Sequence, residues 1–172
     1  MKKLWILVLC VFLAGCSQPV LETVSDIYET APPAPYKQMI LQLPSDASVQ
    51  TMERSTGSSL YQGQNYWIAT EVFPAGDLTG TLLSATGYDP ENLQIFQTRQ
   101  PDGIHYDCVF TSSSEAGDMV GRVCVVDDGQ YHYVLTAMVS EESARSLQYG
   151  ELSHLFDAFH VADPETIVST GS

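Results

Sequence analysis

The amino-acid sequence predicts an α+β fold: an antiparallel β-sheet meander with helices packed against it. Three observations carry that reading. Four runs rich in β-branched and aromatic residues follow in close succession, Leu93 to Arg99, Ile104 to Ser112, Met119 to Val126 and Tyr131 to Val139. Their separators, "QPDG", "SSSEAGD" and "DDGQ", are turn-forming and too short for crossover helices, so the strands are antiparallel neighbours. The last strand is apolar on both of its alternating faces, which marks a central strand covered on both sides.

The remaining elements follow from local signals. "MILQLP" and the run from Tyr66 to Phe73 are strand-like. Asp77 stands as an N-cap before Leu78, Leu82 and Ala85, and Gly87 as a stop, which predicts a helix over 78–86 despite Gly80 within it. Ser140, followed by Glu141 and Glu142, opens a second helix. Its apolar face is Leu147, Leu152, Leu155, Phe156 and Phe159, over about 141–159 with a break near Gly150. Residues 37–162 are therefore expected to form a single α+β domain. The polar stretch 163–172 reads as a frayed tail. Residues 16–36, ending in Pro32-Pro33-Ala34-Pro35, read as an anchor followed by an extended spacer.

The N-terminal residues carry an address. Lys2 and Lys3 precede the uncharged apolar run Leu4 to Ala14. At about 1.5 Å per residue such a helix reaches roughly 16 Å, well short of a hydrocarbon core of about 30 Å. The pattern fits a cleaved secretory signal over residues 1–15. Leu13-Ala14-Gly15-Cys16 at its end resembles the lipobox of bacterial lipoproteins. That resemblance implies a diacylglyceryl thioether on Cys16, cleavage before it, and a palmitate-type acyl anchor. It also implies an extracytoplasmic position on the cell membrane, or on the outer membrane where there is one, since Ser17 is not Asp. Two or three acyl chains hold a protein to a bilayer, whereas one does so only marginally. The alternative is an ordinary signal peptide with an incidental Cys.

Charge excludes one class of partner. The chain carries 21 acidic and 7 basic residues, a net charge of −14. Loss of residues 1–15 leaves 157 residues at −16. Such a surface repels phosphate backbones, so no nucleic-acid partner is expected. A solvated surface accounts for the charge, and counter-cations or a basic partner are the other readings.

The segment "YHYVLTAMVSEESARSLQYGELSHLFDAFHV" resembles the closing strand–helix unit of the PsbP-like fold shared with the Mog family, in which a Tyr-rich strand leads into a helix ending in an "xxFxV" segment. Here that segment is Asp157-Ala158-Phe159-His160-Val161. The resemblance implies a PsbP-like sandwich acting as an accessory or interaction module, with no family binding residue carried onto this chain.

Chemistry is sparse. No nucleophile elbow, phosphate loop, H-E-x-x-H, C-x-x-C or dinucleotide fingerprint is present, so no catalytic residue and no cofactor is assigned. His105 and Asp107, two apart on a strand, share a face and are either metal ligands, half of an acid–base pair, or an exposed ion pair. Asp127-Asp128-Gly129 reads as a hairpin turn, lacking the spacing of a calcium loop. Tyr61, Tyr66, Trp67, Tyr106, Tyr131 and Tyr133 form either an aromatic platform or ordinary strand packing. Centring the hairpin on Ala116 sets Cys108 opposite Cys124, as a disulfide or as two buried thiols. The expectation is a lipid-anchored extracytoplasmic accessory or interaction domain without catalysis, held to the membrane by acyl chains on Cys16 and bound to a cell-envelope protein. The alternative is a carrier or sensor of a small ligand or cation in a cleft between sheet and helices.

Overall fold

A computed structural model describes residues 36–50, 57–114, 117–144 and 149–163. In chain order these form β1 (Gln38–Ile40), β2 (Ser48–Gln50), β3 (Ser59–Gln62), β4 (Tyr66–Pro74), α1 (Leu78–Thr86), a 3-10 turn (Pro90–Asn92), β5 (Phe96–Gln100), β6 (Gly103–Ser114), β7 (Gly117–Asp127), β8 (Tyr131–Ser140), α2 (Glu141–Ala144), α3 (Tyr149–Ala158) and β9 (His160–Ala162). Seven strands make one antiparallel sheet in the order β2-β3-β4-β8-β7-β6-β5, and β1 pairs with β9 apart from it. The lipobox, the spacer up to Pro35 and residues 164–172 lie outside the described residues.

β8 is the spine. Its neighbours are β4 and β7, and Tyr133, Val134 and Leu135 are at most 1 % exposed although they alternate between faces. On one face Leu82 of α1 packs with Cys108, Phe110, Val123, Val125 and Val134. On the other, Leu152, Leu155, Phe156 and Phe159 pack on Tyr133, Leu135, Ala137, Cys124 and Val126. Each of the buried Leu, Val and Phe side chains contributes about 1.5–3 kcal/mol of transfer free energy. The sheet is thus covered on both sides, the α+β arrangement the strand pattern requires.

Local chemistry explains the helix limits. Gly87, at φ 78° in the left-handed region, closes α1 by donating its N–H to the Leu83 carbonyl at 2.8 Å. Asp77 takes the N-cap position, though its side chain caps nothing; its carbonyl accepts from the Thr81 N–H and hydroxyl instead. At the second helix Ser140 Oγ accepts the Ser143 N–H at 3.2 Å, the N-cap bond expected of it. The helix expected over 141–159 is two helical segments, α2 and α3; Leu147 lies outside the described residues.

The β6–β7 register corrects the cysteine pairing. Ser112, Ser113 and Ser114 stay in the ladder, and Ser114 faces Gly117, so only residues 115–116 separate the strands. The hairpin therefore centres between 115 and 116 and not on Ala116. Cys108 faces Val123, and Cys124 faces Asp107. Because side chains alternate, this one-residue difference sends the two thiols to opposite faces of the sheet. Both are buried free thiols, Cys108 in the α1 core and Cys124 in the α3 core, and no disulfide joins them.

Candidate functional site

α3 covers β7 and β8 but leaves the face of β5 and β6 beyond it open. The register brings Phe96, Asp107 and Cys124 into one cross-strand row and Thr98, His105 and Val126 into the next. All of these except the buried Val126, with Gln100, Arg122, Phe156, Asp157 and Phe159, line a groove of about 450 Å³ between the sheet edge and the helix. Phe96 is 61 % exposed and Val109, one step along the same face of β6, is 54 % exposed. Every residue of β5, an edge strand, is exposed.

His105 and Asp107 do share the face predicted for them, but they do not form an exposed ion pair with each other. His105 is 5 % exposed, and its Nε2 meets Asp102 Oδ1 at 2.8 Å. Asp102 sits in the two-residue turn that joins Gln100 to Gly103, and its other oxygen accepts the Val161 N–H at 3.0 Å. Burial works against ionisation of Asp102, but the Val161 N–H and His105 outweigh it and hold the carboxyl below the usual range. The carboxylate is then an acceptor only, so Nε2 carries the hydrogen and Nδ1 turns to Cys124 Sγ, 3.9 Å away.

Asp107 instead takes Arg122 in a bidentate pair, Nε to Oδ1 at 2.9 Å and Nη2 to Oδ2 at 2.7 Å. The guanidinium carbon lies 4.4 Å from the Phe156 ring centroid, so a cation–π contact holds the same group from the helix side. Burial, with the Asp107 charge adding to it, pushes the Cys124 thiol up to about 12 and the Cys108 thiol up to about 11.

The other residues singled out in the sequence do not join this site. Trp67 and Tyr106 face the α1 side, while Tyr61, Tyr66, Tyr131 and Tyr133 pack on the α3 side, so there is no common aromatic platform. Asp128 sits in the expected hairpin turn, its Oδ1 accepting the Gln130 and Tyr131 N–H groups and its Oδ2 facing Lys37 Nζ at 3.3 Å. Asp102, Arg122 and Phe96 are the site residues that sequence reasoning missed. The one available signal was "PDG" directly before a strand carrying His105, since a turn Asp three residues back can reach an inward His.

No protein-family model and no curated protein matches the chain. Among solved structures it is similar to the Ran-binding protein Mog1p of Saccharomyces cerevisiae, with a TM-score of 0.49 at 14 % identity over 74 % of this chain and 92 % of that one. It is also similar to a Bacteroides thetaiotaomicron protein, with a TM-score of 0.48 at 14 % identity over 74 % of this chain. The match spans 46 % of the Bacteroides chain.

Proposed function

We propose that this chain is a lipid-anchored extracytoplasmic interaction domain without catalysis, which holds an extended, basic segment of a cell-envelope protein along β5 and in the groove beside it. The observation that supports this reading most is the pairing of an uncovered edge strand with an exposed Phe96 on the groove wall. Alternate residues of an edge strand turn their N–H and C=O groups outward, a template for an added strand. A large aromatic next to that edge supplies an anchor for a partner side chain. The net charge of −14 favours a basic segment over an acidic one. Leu13-Ala14-Gly15-Cys16 supports the anchor, placing the thiol where lipoproteins carry theirs.

The test is recovery of envelope partners by the acylated chain. Phe96→Asp with Val109→Asp is expected to remove a partner that the parent chain retains, while Cys16→Ser abolishes fatty-acid labelling. Retention of the same partner by the double variant would contradict the binding surface, and acyl label on the Cys16→Ser chain would contradict the anchor. A second reading, a small-ligand or cation carrier, is favoured by the polar groups that converge in the groove, His105, Arg122 and Asp107.

A further inference from the structure

His105 and Cys124 have no part in the peptide-binding reading, yet both are buried and both line the groove. Their donor atoms face each other: Nδ1 of the ring turns to Sγ across 3.9 Å, on adjacent strands that fix the separation. The opposite ring nitrogen is tied to Asp102 at 2.8 Å. This is the support that metal-binding imidazoles ordinarily have, a carboxylate fixing tautomer and ring orientation from behind.

We infer that His105 and Cys124 form a two-donor site for a soft monovalent cation of the copper(I) class, entered from the groove and backed by Asp102. The distance selects the coordination. A metal at about 2.3 Å from sulfur and about 2.0 Å from nitrogen holds the two donors about 3.5 Å apart at a tetrahedral angle and about 4.3 Å apart when collinear. The observed 3.9 Å corresponds to an open angle of about 130°, which suits a d¹⁰ ion with two or three donors. Among the described residues no three His, Cys, Asp or Glu side chains gather as a cage. Asp107, the carboxylate opposite Cys124 in the ladder, is already held by Arg122. A four-donor zinc site is therefore not what this face builds.

Charge points the same way. Binding breaks the S–H bond, forms an S–Cu(I) bond and a bond to the Nδ1 lone pair, and releases the proton to solvent through the groove, with no change of oxidation state. One positive charge replaces another, so the buried pair gains no net charge. A divalent ion would leave one there at a desolvation cost. The inference does not depend on the peptide-binding reading.

The experiment uses the full chain with Cys10→Ser, Cys16→Ser and Cys108→Ala, leaving Cys124 as the single thiol, titrated anaerobically with copper(I) against a chromophoric copper(I) chelator. One equivalent is expected to bind and to develop an ultraviolet thiolate-to-copper band. His105→Gln is expected to weaken binding at least about tenfold, and Asp102→Asn about 10- to 100-fold, as loss of an outer-shell partner does. X-ray absorption on the loaded chain, which needs no further variant to fold, is expected to show one sulfur and at least one imidazole nitrogen on the metal. No saturable binding, equal affinity in His105→Gln, or a sulfur-only environment would overturn the site.

Discussion

Arg122→Ala removes the group that ties the open half of the sheet face to α3. Its bidentate bonds to Asp107, 2.9 and 2.7 Å long, join two side chains each 28 % exposed, so solvent screens them only in part. Hydrogen bonds between charged groups contribute about 1.5–3 kcal/mol, to be taken near the lower end because the pair is not fully buried. The contact with the Phe156 ring at 4.4 Å adds about 0.5–1 kcal/mol. A loss of about 2–3 kcal/mol is expected, read from urea midpoints at unchanged slope. A double-mutant cycle with Asp107→Asn isolates the ion pair, which appears as a coupling of about 1–2 kcal/mol, and the remainder includes the Phe156 contact. A coupling below about 0.3 kcal/mol with an unmoved midpoint would refute the reasoning, because it would mean that the clamp holds nothing.

Three further outcomes follow from the described packing. Peptide mapping of the air-oxidised folded chain is expected to recover Cys108 and Cys124 on separate, unlinked peptides, since they face opposite sides of the sheet; a 108–124 cross-link would contradict the β6–β7 register. Gly121 faces Phe110, and a Cβ placed on it would sit 2.3 Å from the ring's Cζ, so Gly121→Val is expected to cost about 1–3 kcal/mol by overpacking and to be partly relieved by Phe110→Ala, whereas additive losses would contradict the contact. Burial opposes ionisation of Asp128, but the N–H groups of Gln130 and Tyr131, with Lys37, hold its folded pKa below 3.8. A depressed carboxyl contributes stability that is present above its unfolded value and lost as pH falls through the folded one. Urea midpoints of the parent chain are therefore expected to decline below about pH 4 more steeply than those of Asp128→Asn, and parallel acid limbs would contradict this.

Much of the fold was legible because long strands write their period into sequence. β6, β7 and β8 each run ten residues or more, and α1 ends at the glycine that marked it. β1, β2 and β9 are three residues each, too short to show any period, and they form only by pairing with another strand, β2 with the next strand β3 and β1 with the distant β9, as Met39 does with Val161. The cysteine register was missed for a related reason. "SSSEAGD" reads as a loop by composition, yet its serines pair with Asp118 and Met119 and carry the ladder almost to the turn. At the site, the strand period gave the common face of His105 and Asp107 but not their partners. Asp102 reaches His105 from a turn, and Arg122 reaches Asp107 across a register that composition does not encode.

The most direct measurement is site-specific photo-crosslinking of the acylated chain in its native envelope, with the photoreactive residue at Phe96 on the groove, at Val109 exposed on the same sheet face, and at Leu83, 47 % exposed on α1 across the sheet. The account predicts one protein adduct shared by positions 96 and 109, absent at 83, and suppressed when Thr98→Pro removes a β5 N–H and perturbs that edge. An adduct at position 83 alone, or equal yields at all three positions, would contradict the groove as the binding surface.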